Sequence, residues 1–330
     1  MRNLHLGHVD SVLVMHLHHH RKVLIDVARR LHLLHALHAH HHRGRLFTRD
    51  INLADLQEWQ ELVYDSCTEC GRCSMVCPMG INIARVMLVT TVIDVLLFQD
   101  ALAATARILN HLKVNWTLRS AGFEAANFGL LSGNEALQHV ASQKIIDEAL
   151  AIGAKAVILP ECGHAYPALR WEGRLPDGKP LPFEVLAASE FVGREIREGR
   201  LVLVPGDASR KLTYHDVCKL ARHGGVIDEP RAALQALGVD FRETSPTAEL
   251  NWCCGGGAGT FLINRAAPLR HKAWQIKRAQ IEATGADTVV LSCASCRLNF
   301  IEGDEVERSS LHIESLIELV AAQLPGAPAP

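Results

Sequence analysis

The sequence predicts an α/β protein made of two tandem copies of one unit, preceded by a short cysteine segment and a histidine-rich leader. Three observations carry this prediction. From about residue 88 onward, apolar strand-like pieces alternate with amphipathic helical ones, as in a sheet joined by right-handed crossovers. The stretch KIIDEALAIGAKAVILPECGHAYPALR lines up with WQIKRAQIEATGADTVVLSCASCRLNF, and each reads helix, glycine, buried strand, cysteine. The chain has 330 residues, 48% hydrophobic and 21% charged, which is globular and long enough for two lobes of ordinary size.

Residues 1–50 form the leader. It holds twelve of the nineteen histidines, ten of them in HLHHHRKVL and RLHLLHALHAHHHRGR. His32, His35 and His38 would share a helix face, yet a histidine run offers metal no defined geometry, and no site is assigned to it. Residues 51–87 carry a helical lead-in and a run of four cysteines. Residues 88–198 are the first unit: VIDVLLF, VNWTL and AKAVILP read as strand-like pieces, DALAATARILNHL and NEALQHVASQKIIDEALAIG as helices. Residues 199–325 are the second unit, in which LQALGVDFRET repeats ARILNHLKVNWTL and ADTVVLS repeats AKAVILP. Cys162 corresponds to Cys293, while Ala165 takes the place of Cys296. One copy is chemically equipped and its sibling is largely stripped.

The net charge of −2 argues against nucleic acid as a partner, since phosphate binding needs a basic excess. The longest apolar stretch, Val86 to Phe98, is broken by Thr90, Thr91 and Asp94 and is too short to span a bilayer. No secretory signal is legible at the start. The expected location is the cytoplasm, with any membrane association made through a partner. Ten cysteines without a signal peptide point to a reducing compartment and to metal binding.

The first cysteine constellation is CTECGRCSMVCP, with Cys67, Cys70, Cys73 and Cys77. Two-residue spacings let successive thiolates curl around one cubane [4Fe–4S] cluster, and the proline turns the chain away. Zinc would favour two Cys-x2-Cys pairs separated by a longer loop. In two-cluster ferredoxins the fourth cysteine serves the other cluster, and this chain has no second run. Three resolutions stand open: Cys77 closes the first cube, a non-cysteine ligand completes it, or a second ferredoxin motif has been lost.

The second constellation is Cys218, then 34 residues, the vicinal pair Cys253–Cys254 in NWCCGGGAG, then 38 residues, and Cys293-x2-Cys296. Adjacent cysteines join poorly as a disulfide. An α/β sheet gathers its strand-end loops at one edge, so five thiolates would converge there. Glycines let the backbone wrap an inorganic core and point N–H groups at sulfur. Five ligands exceed a cube's need by one, which fits an opened cluster with a bridging cysteine. Cys293 and Cys296 also have the spacing of a redox dithiol. GGGAGT lacks the Lys-Ser/Thr of a P-loop and the dinucleotide spacing. His215 and Asp216, just before Cys218, read as loop hydrogen-bonders.

At these residues the chain resembles the heterodisulfide-reductase-related family of iron–sulfur proteins with CCG domains, closest to its membrane-complex and sulfur-metabolism subunits. Cys218, Cys253, Cys254, Cys293 and Cys296 fill the family motif completely. The resemblance implies a noncubane [4Fe–4S] cluster made of two fused smaller units, at which a disulfide is cleaved by single-electron steps. It implies a tandem pair of CCG units, of which the first retains only Cys162. Cys253 and Cys254 would stand at the reacting site. His164, at the pseudo-symmetric position in the first unit, has two readings of its own: a proton donor to the leaving thiolate, since an ordinary imidazole titrates near neutrality, or a histidine buried for structure alone. Implied partners are a disulfide or persulfide substrate and other redox subunits: a flavoprotein, a ferredoxin-like protein or a membrane cytochrome. A rival reading is an electron-transfer subunit between a flavin dehydrogenase and quinone or a cytochrome. A zinc scaffold is a third.

Overall fold

The computed structural model describes residues 86–326 apart from residues 120, 258 and 310. They belong to one compact unit, Asn82–Pro330. The leader and the run Cys67, Cys70, Cys73 and Cys77 lie outside the described residues.

Eight strands form two four-stranded sheets. The first contains β1 (Val86–Leu88), β2 (Trp116–Leu118), β3 (Ala156–Leu159) and β4 (Glu184–Ala187) in the order β2-β1-β3-β4. The second contains β5 (Lys211–Tyr214), β6 (Asp240–Arg242), β7 (Thr288–Leu291) and β8 (His312–Ser315) in the order β6-β5-β7-β8. Every pairing is parallel, for example Met87 with Val157 and Val289 with Ile313. The two sheets thus share one topology, each with its central pair of strands richest in buried Val, Ile and Leu.

Side chains alternate across these sheets, and both faces are covered, as a parallel sheet requires. Met87, Val157, Leu159, Val289 and Leu291 enter one core cluster, while Val86, Leu88, Ile158, Leu212 and Val290 enter the other. Both clusters draw on both sheets, so the two halves share their cores.

The helices complete the pattern. In the first half these are α1 (Val92–Leu97), α2 (Gln99–His111), α3 (Phe128–Ser132), α4 (Glu135–Ala151), α5 (Ala165–Arg170) and α6 (Ala188–Arg197). In the second they are α7 (Asp228–Ala236), α8 (Ala267–Glu282), α9 (Ala294–Glu307) and α10 (Leu316–Ala322). Packing between halves is reciprocal: α6 lies against α7, and α10 against α2. A helix ending one copy therefore rests on a helix opening the other, as an approximate twofold relation demands. At the first contact, a Cβ on Gly193 would sit 2.2 Å from the Glu229 carbonyl oxygen, so only glycine permits the approach.

One local expectation is corrected. VIDVLLF is not a strand: Val92–Leu97 is helical, and the strand is the preceding Val86–Leu88. The reason is a capping box. Thr91 Oγ1 accepts from the Asp94 N–H at 3.3 Å, and the Asp94 carboxylate accepts from the Thr91 N–H at 3.1 Å.

Candidate metal centre

Three neighbouring strands of the second sheet feed the site. After β5 the chain turns through His215 and Asp216 to Cys218. After β6 a longer loop leads to Cys253 and Cys254, followed by Gly255, Gly256 and Gly257. After β7 comes Cys293, the N-cap residue of α9, with Cys296 in the first turn. All three loops leave the carboxyl edge of one parallel sheet, where such folds form their binding crevice.

The five sulfurs form one continuous chain of contacts. Cys253 neighbours Cys218 and Cys254, and Cys296 neighbours Cys254 and Cys293, each close enough to perturb the ionisation of the next. Cys253 and Cys293 are the sulfurs most disposed to be thiolates. Cys253 is pulled far below an ordinary thiol, first by Cys218, then by Cys254, with help from the Gly255 N–H. Cys293 falls to about 7, drawn down first by the neighbouring Cys296 against the opposing effect of burial, then by backbone N–H groups of Cys296, Gly163 and Ser295. Cys218, Cys254 and Cys296 are correspondingly pushed up, first by their sulfur neighbours and then by burial. Cys253 is exposed, Cys218 half-buried, and the other three are buried. Exposed Leu250 and Trp252 lead into Cys253 along the chain, so this thiol lies at the solvent side of the site.

The glycines are needed where the loop meets the helices. Gly256 donates its N–H to Cys254 Sγ at 3.3 Å, and a Cβ there would lie 2.7 Å from both Asn299 Cβ and the Ser295 oxygen on α9. Gly255, at φ +90°, has the left-handed conformation that glycine tolerates, and its N–H reaches Cys253 Sγ at 3.4 Å. Asn299 Nδ2 donates to the Cys254 carbonyl at 2.6 Å, tying the loop to α9.

Asp216 fixes the loop from the other side. Its buried carboxylate accepts from both terminal nitrogens of Arg231 at 2.9 Å, from the Ala248 N–H at 2.8 Å and from Thr247 Oγ1 at 3.2 Å. Its carbonyl accepts from Asn251 Nδ2 at 2.5 Å. The turn bearing Cys218 and the segment just ahead of Cys253 are thus clamped together. The sequence reading of Asp216 as a loop hydrogen-bonder agrees with this geometry.

Two further groups near the thiols escaped sequence reasoning, and a third was given the wrong role by it. Lys277, fully buried on α8, donates Nζ to Asn251 Oδ1 at 2.6 Å. Burial lowers its pKa to about 8, against the opposing pull of Asp216 and the nearby sulfurs of Cys254, Cys296 and Cys253. It supplies positive charge behind an anionic centre. The Gly163 N–H comes from the stripped half, whose Glu161 carbonyl also accepts from the Ala294 N–H at 2.6 Å and so caps α9. His215 is the third. It is not a loop hydrogen-bonder: among the described residues its ring nitrogens have no hydrogen-bond partner, and one of them lies within 4.8 Å of Cys254 Sγ and Cys296 Sγ. Of these, only the histidine at the turn before Cys218 left any trace in the sequence.

His164 and Cys162 lie together in the first half, Sγ to Nδ1 3.5 Å, both buried. Cys162 is close enough to Cys293 for the two charges to interact, and His164 to feel Lys219, the residue after Cys218. Burial first, then Lys219, lowers the His164 pKa to about 4. This pair therefore borders the five-thiol site across the boundary between halves.

The donor set fits an iron–sulfur group. Five converging sulfurs, backbone N–H groups directed at them and a buried cation behind them meet the needs of a thiolate-ligated cluster. Zinc in a closed structural site takes four ligands, and would leave one of these sulfurs over.

Residues 212–301 match the cysteine-rich domain family abbreviated CCG, and residues 32–82 match the 4Fe-4S dicluster domain family. Within 32–82 the cysteines are Cys67, Cys70, Cys73 and Cys77. The chain is 33% identical over 169 residues to a "Probable membrane-anchored ferredoxin" of Chromohalobacter salexigens, covering 50% of this chain and 25% of that protein. It is 30% identical to one subunit of the dihydromethanophenazine:CoB–CoM heterodisulfide reductase of Methanosarcina mazei, over 68% of this chain and 56% of that one. The same-named protein of Methanosarcina barkeri is 25% identical, over 86% of this chain and 83% of that one. The chain thus spans between a quarter and little over half of the first two relatives. Among the described residues, no helix is long and apolar enough to cross a membrane.

Proposed function

The chain fits the iron–sulfur family related to these heterodisulfide reductase proteins, and from that premise we propose that it is an oxidoreductase subunit acting on a disulfide or polysulfide. Electrons would enter at the run Cys67, Cys70, Cys73 and Cys77, holding a cubane [4Fe–4S] cluster, and leave at Cys218, Cys253, Cys254, Cys293 and Cys296, holding a noncubane one. When bound, such a cluster supplies single electrons to a sulfur–sulfur bond. Two electrons and two protons convert one disulfide into two thiols. The observation that carries this reading is the meeting of five sulfurs from three strand ends in one chain of contacts.

The chain's own residues have assigned tasks in this proposal. Exposed Cys253 stands where a substrate sulfur arrives, with Cys254 behind it. The N–H groups of Gly255, Gly256 and Gly163 hold negative charge on sulfur. His164 meets the reaction neutral, since burial and Lys219 disfavour its cation; both protons of the turnover come from solvent, and one is taken up by His164 as negative charge develops beside it. It then delivers that proton to the departing thiolate. Redox subunits of the kinds named above would supply the electrons.

A second reading is supported by the ferredoxin-named relative. In it the chain only relays electrons between a flavoprotein and quinone or a membrane cytochrome. Anaerobic protein assayed for iron and acid-labile sulfide, then for turnover of an added disulfide or persulfide with a competent donor, separates the two. Substrate-dependent change in the paramagnetic resonance signal and steady turnover support the first. Rapid reduction by a flavin partner without turnover rejects it in favour of the second.

A further inference from the structure

We propose that His215 belongs to the metal centre as a hydrogen-bond donor, its ring N–H directed at a sulfur of the cluster or of Cys254 and Cys296. The inference rests on the reading that the five thiols hold an iron–sulfur cluster, and gives a task to a residue that reading leaves idle.

The geometry is restrictive. His215 is 1% exposed, and its backbone N–H is spent on the Val290 carbonyl at 3.0 Å. Its ring is tilted against Phe300, centroids 5.0 Å apart at 53°, and Phe300 in turn packs on Trp274 at 5.0 Å. Both ring nitrogens lack a partner among the described residues. An imidazole carries at least one N–H in every protonation state, and a buried donor left unmade is costly. The ligand atoms within reach are the sulfurs of Cys254 and Cys296, within 4.8 Å. Five thiolates already outnumber four irons, so the ring is not needed as a ligand. A hydrogen bond to sulfur withdraws charge from the centre, favours the reduced state and raises the potential.

The test uses the full chain, anaerobically loaded, with 15N-labelled histidine. Pulsed paramagnetic resonance is recorded for wild type, His215→Phe, which keeps a ring against Phe300 without N–H, and His215→Gln, which keeps an N–H. The expected wild-type signature is a weak coupling to one histidine nitrogen and one exchangeable proton. His215→Phe loses both, and its reduced-to-oxidised ratio at fixed potential falls about tenfold, equivalent to about 59 mV for one electron. His215→Gln loses the nitrogen coupling but restores the exchangeable proton and most of the ratio. Couplings and ratio unchanged in His215→Phe overturn the inference, as does a large nitrogen coupling typical of a direct iron bond. If His215→Phe fails to load, the wild-type and His215→Gln spectra decide by the same criteria. Iron and sulfide no greater than the Cys67–Cys77 run can hold overturn the cluster reading and the inference with it, whereas a loaded centre blind to His215 overturns the inference alone.

Discussion

Gly256→Ala should uncouple the vicinal cysteines from the helix that carries the other pair, and Gly257→Ala should do nothing. A Cβ on Gly256 would meet the Ser295 oxygen and Asn299 Cβ at 2.7 Å, well short of the 3.4 Å at which ordinary contact begins. One of those atoms is helix backbone, so the CCG loop must retreat by about 0.7 Å or more, whereas metal–ligand distances tolerate only about 0.2 Å. Overpacking of this kind costs about 1–3 kcal/mol, a factor of roughly 5 to 150 in an equilibrium. The retreat would also stretch the Asn299 bond to the Cys254 carbonyl and the Gly256 N–H bond to Cys254 Sγ. Gly257, one residue on, has nothing within 4 Å of its Cβ position. The measurements are iron and acid-labile sulfide per chain and a denaturant unfolding curve, with Gly257→Ala as the matched control. Full cluster content and wild-type stability in Gly256→Ala would show that the loop does not lie against α9 as described.

Other expectations follow from the same site. Asp216→Asn removes the carboxylate from a buried clamp of Arg231, Thr247 and the Ala248 N–H. Because Arg231 keeps Glu243 as a partner, the loss should be about 2–3 kcal/mol, read by urea unfolding, together with reduced iron uptake. Of the five converging thiols in metal-free protein at neutral pH, iodoacetamide should modify Cys253 first, since it is the exposed one among them and Cys218 and Cys254 favour its thiolate; peptide mapping showing Cys254 or Cys296 modified before it would contradict this, and cluster loading should protect Cys253. Glu161 is fully buried, and desolvation lifts its pKa to about 8 despite Ser315 and Arg297. The folded protein then keeps a proton that the unfolded chain has released, so this contribution to stability is complete below about pH 4.5 and declines as pH rises toward 8. Glu161→Gln should flatten that decline in unfolding curves recorded from pH 5 to 8.

Much of this arrangement is legible in the sequence because it depends on spacing. The repeat of helix, glycine, strand and cysteine foretells two sheets of one topology, and cysteines placed after three different strands foretell convergence at one edge. VIDVLLF was misread because a run of six apolar residues around one aspartate fits either period. The deciding feature is the pair Thr91 and Asp94, three apart, which caps a helix and buries the acid. Lys277 sits in WQIKRAQIE and is indistinguishable there from a solvated helix lysine. Its burial follows only from the fold carrying that face over Asn251. His215 stands beside Asp216, and adjacent polar residues in a turn suggest one shared task. The structure divides them: Asp216 satisfies every oxygen with donors from Arg231 on α7 and from the facing loop, while the His215 ring, pressed on Phe300, finds no partner among the described residues.

The stripped half has a physical reason to persist beside its equipped sibling. It holds no vicinal cysteines, but the segment after β3 supplies the Gly163 N–H to Cys293 and the Glu161 carbonyl to the first turn of α9. The Glu161 carboxyl reaches further, accepting a hydrogen bond from Ser315 at the start of α10. A Cβ on Gly163 would lie 2.8 Å from a Val217 methyl and 3.6 Å from Cys293 Sγ, so the two backbones approach as closely as a glycine allows. The two halves also share both hydrophobic clusters and exchange terminal helices. Removing the first half would therefore uncap the helix bearing Cys293 and Cys296 and withdraw an N–H from the thiol most ready to ionise among the buried ones. In this fold the sulfurs belong to one copy, but the position and charge of Cys293 are set by both.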